Sequence, residues 1–422
     1  MFRPLLFTSC LALSVAAWGQ STPLQPAPLR YESAVAQAVA AAPTVQARQF
    51  QTVAAREEAA RAAALPDPML TAGVDNLTAT GPDAFDFGAD DQTMKRVGIT
   101  QVFPARAKRR ALQGVADRRI DEAQALSEAE RLAVRRAAAQ AWVNLWAAER
   151  EAAALRQLRS QTVIAVSVAK ARLSGGTGTA VEALATKAGS LELENRITGA
   201  DAQVRAARDT LARWLDVPPQ DVRIEGEPPD LMRLPVSEVA LLGSIEKQGP
   251  LLPWASREAV AEAEVTLARA QKKPDWSLGA SYGQRDGGRS DMVTLQFSID
   301  LPLFAANRQD RGIASRRADL DAVVALHEEA RRDQTETVRR LLAEWDGLRQ
   351  QVERKEKEML PLARDRAQIA VASYRGGGDL QPWLEARRDE IELHIEHARH
   401  LGELGRAWAA LAYLLPSPGD QP

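Results

Sequence analysis

The chain of 422 residues contains one cysteine, Cys10, which excludes an internal disulfide framework and a thiolate metal site. Aromatic residues make up only 5 % of it. Alanine supplies much of the apolar content, so the composition favours long, closely packed helices over a wide globular core. An excess of one charge is also missing: 54 Lys and Arg face 56 Asp and Glu, for a net charge of -2. That balance carries no nucleic-acid footprint. Beyond the first residues no run of about eighteen apolar residues occurs, so no helix is expected to cross a membrane. Catalytic signatures are lacking too. His327-Glu328-Glu329 has no second histidine of a zinc protease, and Gly175-Gly176-Thr177-Gly178 has no Lys-Ser/Thr of a phosphate loop. No G-x-S-x-G elbow is present. The expectation is a protein that is not an enzyme and uses no cofactor.

The N-terminus has the pattern of a secretory signal, expected to span 1–19. Arg3 supplies the positive region, Leu5 to Ala17 the apolar stretch, and Ala17-Trp18-Gly19 a small-x-small cleavage site. Cys10 then leaves with the leader. Phe7-Thr8-Ser9-Cys10 faintly resembles a lipoprotein cleavage box, although almost no apolar stretch would precede it. A buried N-terminal helix is the plain alternative.

The rest of the chain says the same thing twice, with each mark displaced by roughly two hundred residues, too far for a solenoid repeat. Ala42-Pro43 returns as Gly249-Pro250, Pro66-Asp67 as Pro274-Asp275, Phe103-Pro104 as Leu301-Pro302, and Gly175-Gly176 as Gly376-Gly377. The expected domains are a first repeat over 20–217, a Pro-rich connector over 218–235, a second repeat over 236–415 and a loose tail over 416–422. Each repeat reads as helix, short alternating hairpin (about 67–103 and about 275–301), then long helices (about 106–215 and about 305–415) reversed at a glycine turn. From Arg106 to Leu173 there is no proline and only Gly114 among glycines, enough for a rod of order 100 Å. Leu145, Ala148, Ala152 and Leu155 step by three and four along it, a coiled-coil seam of small residues. Pro361 is expected to kink the corresponding helix of the second repeat.

The hairpin segments alternate roughly by two, and each is close to the length that crosses an outer membrane as a tilted strand. Two hairpins give four strands, too few to close a barrel, and an open sheet edge in lipid leaves backbone groups unpaired. Either the chain borrows strands from copies of itself, or the hairpins stay out of lipid on a soluble helical protein.

The leader, the duplicated helix–hairpin–helix plan, Pro-Asp before each first strand, Phe-Pro or Leu-Pro after each second strand and the glycine turns together resemble the TolC-like outer-membrane efflux proteins. The stretch Ser373-Tyr374-Arg375-Gly376-Gly377-Gly378-Asp379-Leu380, continued by Leu384-Glu385-Ala386-Arg387-Arg388, is most similar to the branch serving heavy-metal cation efflux. The resemblance implies a mainly α fold with a small β part. In it, a homotrimer forms a twelve-stranded outer-membrane β-barrel continued by a periplasmic α-helical barrel. It also implies outer-membrane lipid, a periplasmic adaptor (membrane fusion) protein and an inner-membrane RND pump as partners. The cargo would be heavy-metal cations, with organic drugs or type I secreted proteins as alternatives. A soluble periplasmic coiled-coil adaptor or scaffold is the alternative of another class.

On the same resemblance, the adaptor-docking tips would be Arg172, Gly175 and Gly176 in the first repeat and Tyr374, Arg375, Gly376 and Gly377 in the second. Local geometry alone also asks for glycine there. Glu182, Asp379 and Glu385 are the acids nearest the tips and the candidates for a pore gate, though Gln381-Pro382-Trp383 departs from the family's pattern. His394 and His397 share a helix face and are the candidate cation ligands, with His400 beyond them; a solvated or interhelical polar patch is the plain reading. The acidic loop with Asp83, Asp86, Asp90 and Asp91 is expected to draw cations to a channel mouth, or simply to be solvated. Arg106, Lys108, Arg109 and Arg110 oppose the macrodipole at the start of the long helix, which hints at nearby membrane phosphates.

Overall fold

A computed structural model describes residues 28–376 and 381–416. The expected leader, residues 377–380 and the end of the tail lie outside the described residues. Helix α1 (Tyr31–Ala41) and α2 (Pro43–Ala62) are separated by Ala42, which takes the extended conformation that a following proline demands. Strands β1 (Met69–Asp75) and β2 (Met94–Phe103) lead into α3 (Arg106–Ser174), whose 69 residues make a rod of about 100 Å. Helix α4 (Ala180–Leu215) returns antiparallel to it. After the connector come α5 (Glu238–Gly243), α6 (Leu252–Ala270), β3 (Trp276–Gln284), β4 (Met292–Ile299) and α7 (Gln309–Arg354). At Lys355–Met359 the backbone widens into π-helical turns before α8 (Leu360–Arg375). Pro361 lies just beyond. The wider turns relieve the clash of its ring and the loss of its N–H, so the helix is deformed there without stopping. Helix α9 (Gln381–Ala412) completes the fold.

Helix α3 is the spine, packed along α1, α2, α4, α6 and α9. Its seam residues Leu145, Ala152, Leu155 and Leu158 are buried, as their spacing requires. At the centre Trp142 is fully buried. Tyr31 stands edge-on to Trp142 and Trp408, with ring centroids 5.5 and 6.2 Å away, and its hydroxyl lies 3.2 Å from that of Tyr413. The duplication reaches individual hydrogen bonds. Trp142 donates its indole N–H to the Leu29 carbonyl at 3.2 Å, and Trp345, at the matching place in the second copy, donates to the Leu231 carbonyl at 3.0 Å. Helix α9 lies against α3 with glycine at the contact. A β-carbon on Gly405 would sit 2.3 Å from Val143 Cγ1, and one on Gly402 2.7 Å from Ala147 Cβ.

The strands form one antiparallel sheet in the order β1-β2-β3-β4. Its central seam joins the two copies, because β2 pairs with β3 from Lys95↔Gln284 to Phe103↔Trp276. The outer edges of β1 and β4 have no strand partner among the described residues.

Candidate functional site

The register sorts the sheet into two faces. Leu70, Ala72 and Val74 of β1 align with Ile99, Val97 and Lys95 of β2. Val97, Ile99 and Phe103 align with Tyr282, Ala280 and Trp276 of β3, which in turn face Val293, Leu295 and Ile299 of β4. This face is apolar except for Lys95 and Gln284, paired at the loop end, and Gln101, whose amide donates to the Pro66 and Val102 carbonyls. It is nonetheless exposed: Leu70 by 73 %, Leu295 by 77 % and Phe297 by 63 %. The opposite face carries Thr71, Gly98, Thr100, Ser277, Gly279, Ser281, Thr294, Gln296 and Ser298 along its length, with Met69 and Val102 toward the helix end and Met94 and Met292 toward the loop end. Its ion pair, Arg96 with Asp75 at 3.1 Å, lies at the loop end. An exposed apolar face backed by a small, polar one is the alternation of a lipid-facing wall around a wet lumen. Phe103 stacks on Trp276 at 4.2 Å, at the end where the helices begin, as an interfacial aromatic belt would.

The loops at the other end hold one another. Arg289 pairs with Asp91 at 2.5 Å, Lys95 pairs with Asp286 at 3.0 Å, and Lys95 also lies over the Phe87 ring. Three of the four acids of the expected cation-drawing loop bond locally. Asp86 accepts from the Gly88 N–H, Asp90 from the Gln92 N–H, and Asp91 holds Arg289. At the start of α3, Asp275 accepts the Ala105 N–H at 2.7 Å and pairs with Lys108 at 2.8 Å. That carboxylate offsets part of the cation cluster opposing the helix macrodipole.

The first tip is a tight reversal. Gly176 has φ +76°, a left-handed conformation, and the Thr177 and Gly178 N–H groups both donate to the Arg172 carbonyl at 3.0 Å. Glu182 does not project freely. Its backbone N–H donates to Thr179 Oγ1, its carboxylate accepts the Thr179 N–H, and it lies 3.6 Å from Arg172. It is the N3 residue of a capping box, a role the pattern T-x-x-E announces. At the second tip the Gly376 N–H closes α8 on the Ala372 carbonyl, and the Arg375 side chain is exposed. Gly377 and Asp379 lie outside the described residues. Tyr374 stacks on Trp383 with ring centroids 6.1 Å apart, bridging the turn, a contact that sequence spacing did not reveal. Glu385 accepts from the Gln381 amide at 3.0 Å within its own helix.

Among the described residues no group of three or more His, Cys, Asp or Glu side chains is arranged to hold a metal ion. His397 faces the widened turns, with Nε2 3.3 Å from Glu356, while neighbouring Lys355 is buried and pairs with Glu396 at 2.9 Å. Burial, then repulsion from His394 and Lys355, pushes the His397 pKa down to about 4. His397 thus lies among interhelical polar groups.

The remaining histidine forms a cluster that no local pattern announces, because its partners lie 69 and 81 residues away. His327 Nδ1 is 2.6 Å from Glu258 on α6, Nε2 is 2.9 Å from Glu246 between α5 and α6, and the ring stacks on Trp254 at 5.6 Å. Burial pulls its pKa down, but the hydrogen bonds and charges of Glu258 and Glu246 prevail and raise it. A raised folded-state pKa contributes stability that is complete below the unfolded value of about 6.5 and is lost as pH rises through the folded value. Thermal melting of His327→Ala should therefore fall below that of the parent by more at mildly acidic than at mildly alkaline pH. A deficit independent of pH would remove the charge from this account.

These observations define a class: a protomer that gives a few strands to a membrane β-barrel and continues below it as a helical tube. Residues 251–416, most of the second copy, match the family model for outer membrane efflux proteins. That segment resembles the outer membrane efflux proteins, a family that is not a class of enzymes. Three solved structures share the fold. A membrane protein from Pseudomonas aeruginosa superimposes with TM-score 0.75 at 18 % identity, over 92 % of this chain and 93 % of the other. CusC, described for its folding and transmembrane channel formation, gives TM-score 0.75 at 14 % identity over 93 % and 94 %. The outer membrane protein VceC of Vibrio cholerae gives 0.69 at 20 % identity over 91 % and 94 %. No protein of curated function matches the chain in sequence.

Proposed function

We propose that the chain is one of three identical protomers of an outer-membrane exit duct, working with a periplasmic adaptor and an inner-membrane RND pump. The observation that carries this reading is the sheet: four strands, apolar on one face and small and polar on the other, with both edges open. Open edges in lipid require closure, and three copies would supply twelve strands. Eight strands from two copies would leave an interior just wide enough for side chains to fill, whereas twelve leave a lumen. The helices make the same demand. Val181, Leu184 and Leu191 on α4 and Leu362 and Ile369 on α8 are exposed at coiled-coil spacing, which suits burial between protomers.

Arg172 and Arg375 flank the reversals and are the residues proposed to meet the adaptor. Heavy-metal cations are the proposed cargo, resting on the pattern around Tyr374 to Arg388 and passing without a high-affinity ligand set, as suits an exit path. The detergent-purified protein should sediment as a trimer and open conductances in planar bilayers. A monomer without conductance would overturn the duct. A deletion strain should become sensitive to divalent metals; unchanged metal tolerance with lost drug tolerance would move the cargo to organic compounds.

A further inference from the structure

We propose that the periplasmic rim of the barrel is a binding surface for anionic phospholipid headgroups of the inner leaflet, with Leu303 and Phe304 as an apolar wedge and Arg106, Lys273, Arg308 and Arg311 as phosphate partners. It rests on the reading of the sheet as a membrane wall.

All four strand–helix junctions lie at one end of the sheet, since β1 and β3 begin there and β2 and β4 end there. The junction after β4 continues the wall. The Asp300 N–H bonds to the Asp275 carbonyl at 2.9 Å, so the ladder runs one step past Ile299. Odd-numbered residues of β4 form the apolar face; Leu301 keeps that parity, and the chain then turns, with the Leu303 N–H bonding to the Leu301 carbonyl at 2.9 Å. Leu303 and Phe304 are 76 % and 78 % exposed, among the most exposed large apolar side chains of the protein. Among the described residues no hairpin or helix covers them, and they follow the end of the sheet that carries Phe103 and Trp276.

At the same end of the sheet, beside the strand–helix junctions, are cations from both copies: Arg106 at the start of α3, Lys273 after α6, and Arg308 and Arg311 at the start of α7. All four are exposed, and none has a side-chain partner among the described residues. Their neighbours Lys108 and Lys272 are held by Asp275 and Asp310. Asp275 and Asp310 are thus engaged, and the four free cations outnumber Asp67 and Asp300, the acids beside the junctions without a side-chain partner among the described residues. Long cationic side chains beside an apolar insertion reach up to headgroup phosphates while their stems lie on hydrocarbon. Another copy of the chain would place the same positive charge against this rim, whereas a phospholipid surface supplies the missing anions.

The test uses the full chain with Cys10→Ser, carrying either Leu278→Cys or Phe304→Cys and an environment-sensitive fluorophore. Each is reconstituted into phosphatidylethanolamine vesicles with or without phosphatidylglycerol, with brominated acyl chains as quenchers. Both labels should be quenched. Phosphatidylglycerol retained by the purified wild type, read by native mass spectrometry, should fall by about fivefold per arginine removed in Arg308→Gln and Arg311→Gln. A quenched label at 278 with an unquenched one at 304 overturns the rim and leaves the barrel standing, as does unchanged phosphatidylglycerol retention in the double variant. No quenching at either position overturns both the rim and the membrane wall.

Discussion

Arginine at both Leu295 and Phe297 is expected to remove the protein from the outer-membrane fraction, whereas arginine at both Gln296 and Ser298 leaves it there with altered conductance. The four positions interleave on one strand, so composition, length and local propensity are nearly matched and only the phase differs. Leu295 faces Ala280, Phe297 faces Leu278, and all four belong to the apolar face. An arginine near the bilayer midplane costs about 2–4 kcal/mol. Two per protomer in three protomers come to order 10–20 kcal/mol, comparable to or above the whole stability of an ordinary domain. Gln296 pairs with Gly279 and Ser298 with Ser277 on the other face, where a guanidinium meets water. Outer-membrane fractionation and single-channel conductance separate the outcomes. Equal loss from both pairs, or from neither, would mean that the two faces do not divide lipid from lumen.

The second large effect is expected at the contact of α9 with α3. Gly405→Val should lower thermal stability more than any other single apolar substitution in the helical body, and Gly402→Ala should do so to a smaller extent. The β-carbon alone would sit 2.3 Å from Val143 Cγ1, and on the far side Leu231 Cδ1 is 3.4 Å away, so the new side chain has nowhere to turn. Relief requires the helices to separate along the stretch where Trp142, Leu404 and Ala409 are sealed from water. Overpacking of a tight core costs typically about 1–3 kcal/mol, and separation adds the loss of contacts on both sides. Val143→Ala beside Gly405→Ala should recover part of the loss, as coupled neighbours do. Melting followed by circular dichroism in detergent reads the series. A Gly405→Val protein that melts with the parent would show that the helices do not touch there.

Element order was legible because proline, glycine and alternation mark the same points twice, and the marks reflect backbone needs that any copy must meet. Strand faces were not. Glycine interrupts the alternation in β1, β2 and β3, and the phase is fixed only when β2 pairs with β3 across the join of the copies. The acidic loop was misleading for a local reason: an aspartate two residues before a free N–H bonds to it and builds the turn, as Asp86 and Asp90 do. Glu182 carried a readable capping signature, and the cap forms. The basic start of α3 looked uncompensated because its counter-charge, Asp275, lies in the other copy. His327 was legible only as a failed protease motif, since Glu246 and Glu258 reach it through the packing of three separate segments.

Asp275 has a mechanical consequence. It belongs to the second copy, yet it grips the first turn of the longest helix in the first copy by a backbone N–H and a lysine. The top of α3 is therefore a fixed bearing. In the proposed duct, a rotation that changed the bore at the far end, about 100 Å away, would be absorbed as bending along the rod more readily than as twisting of the strands. Such a mounting would let the free end widen while the outlet kept its diameter.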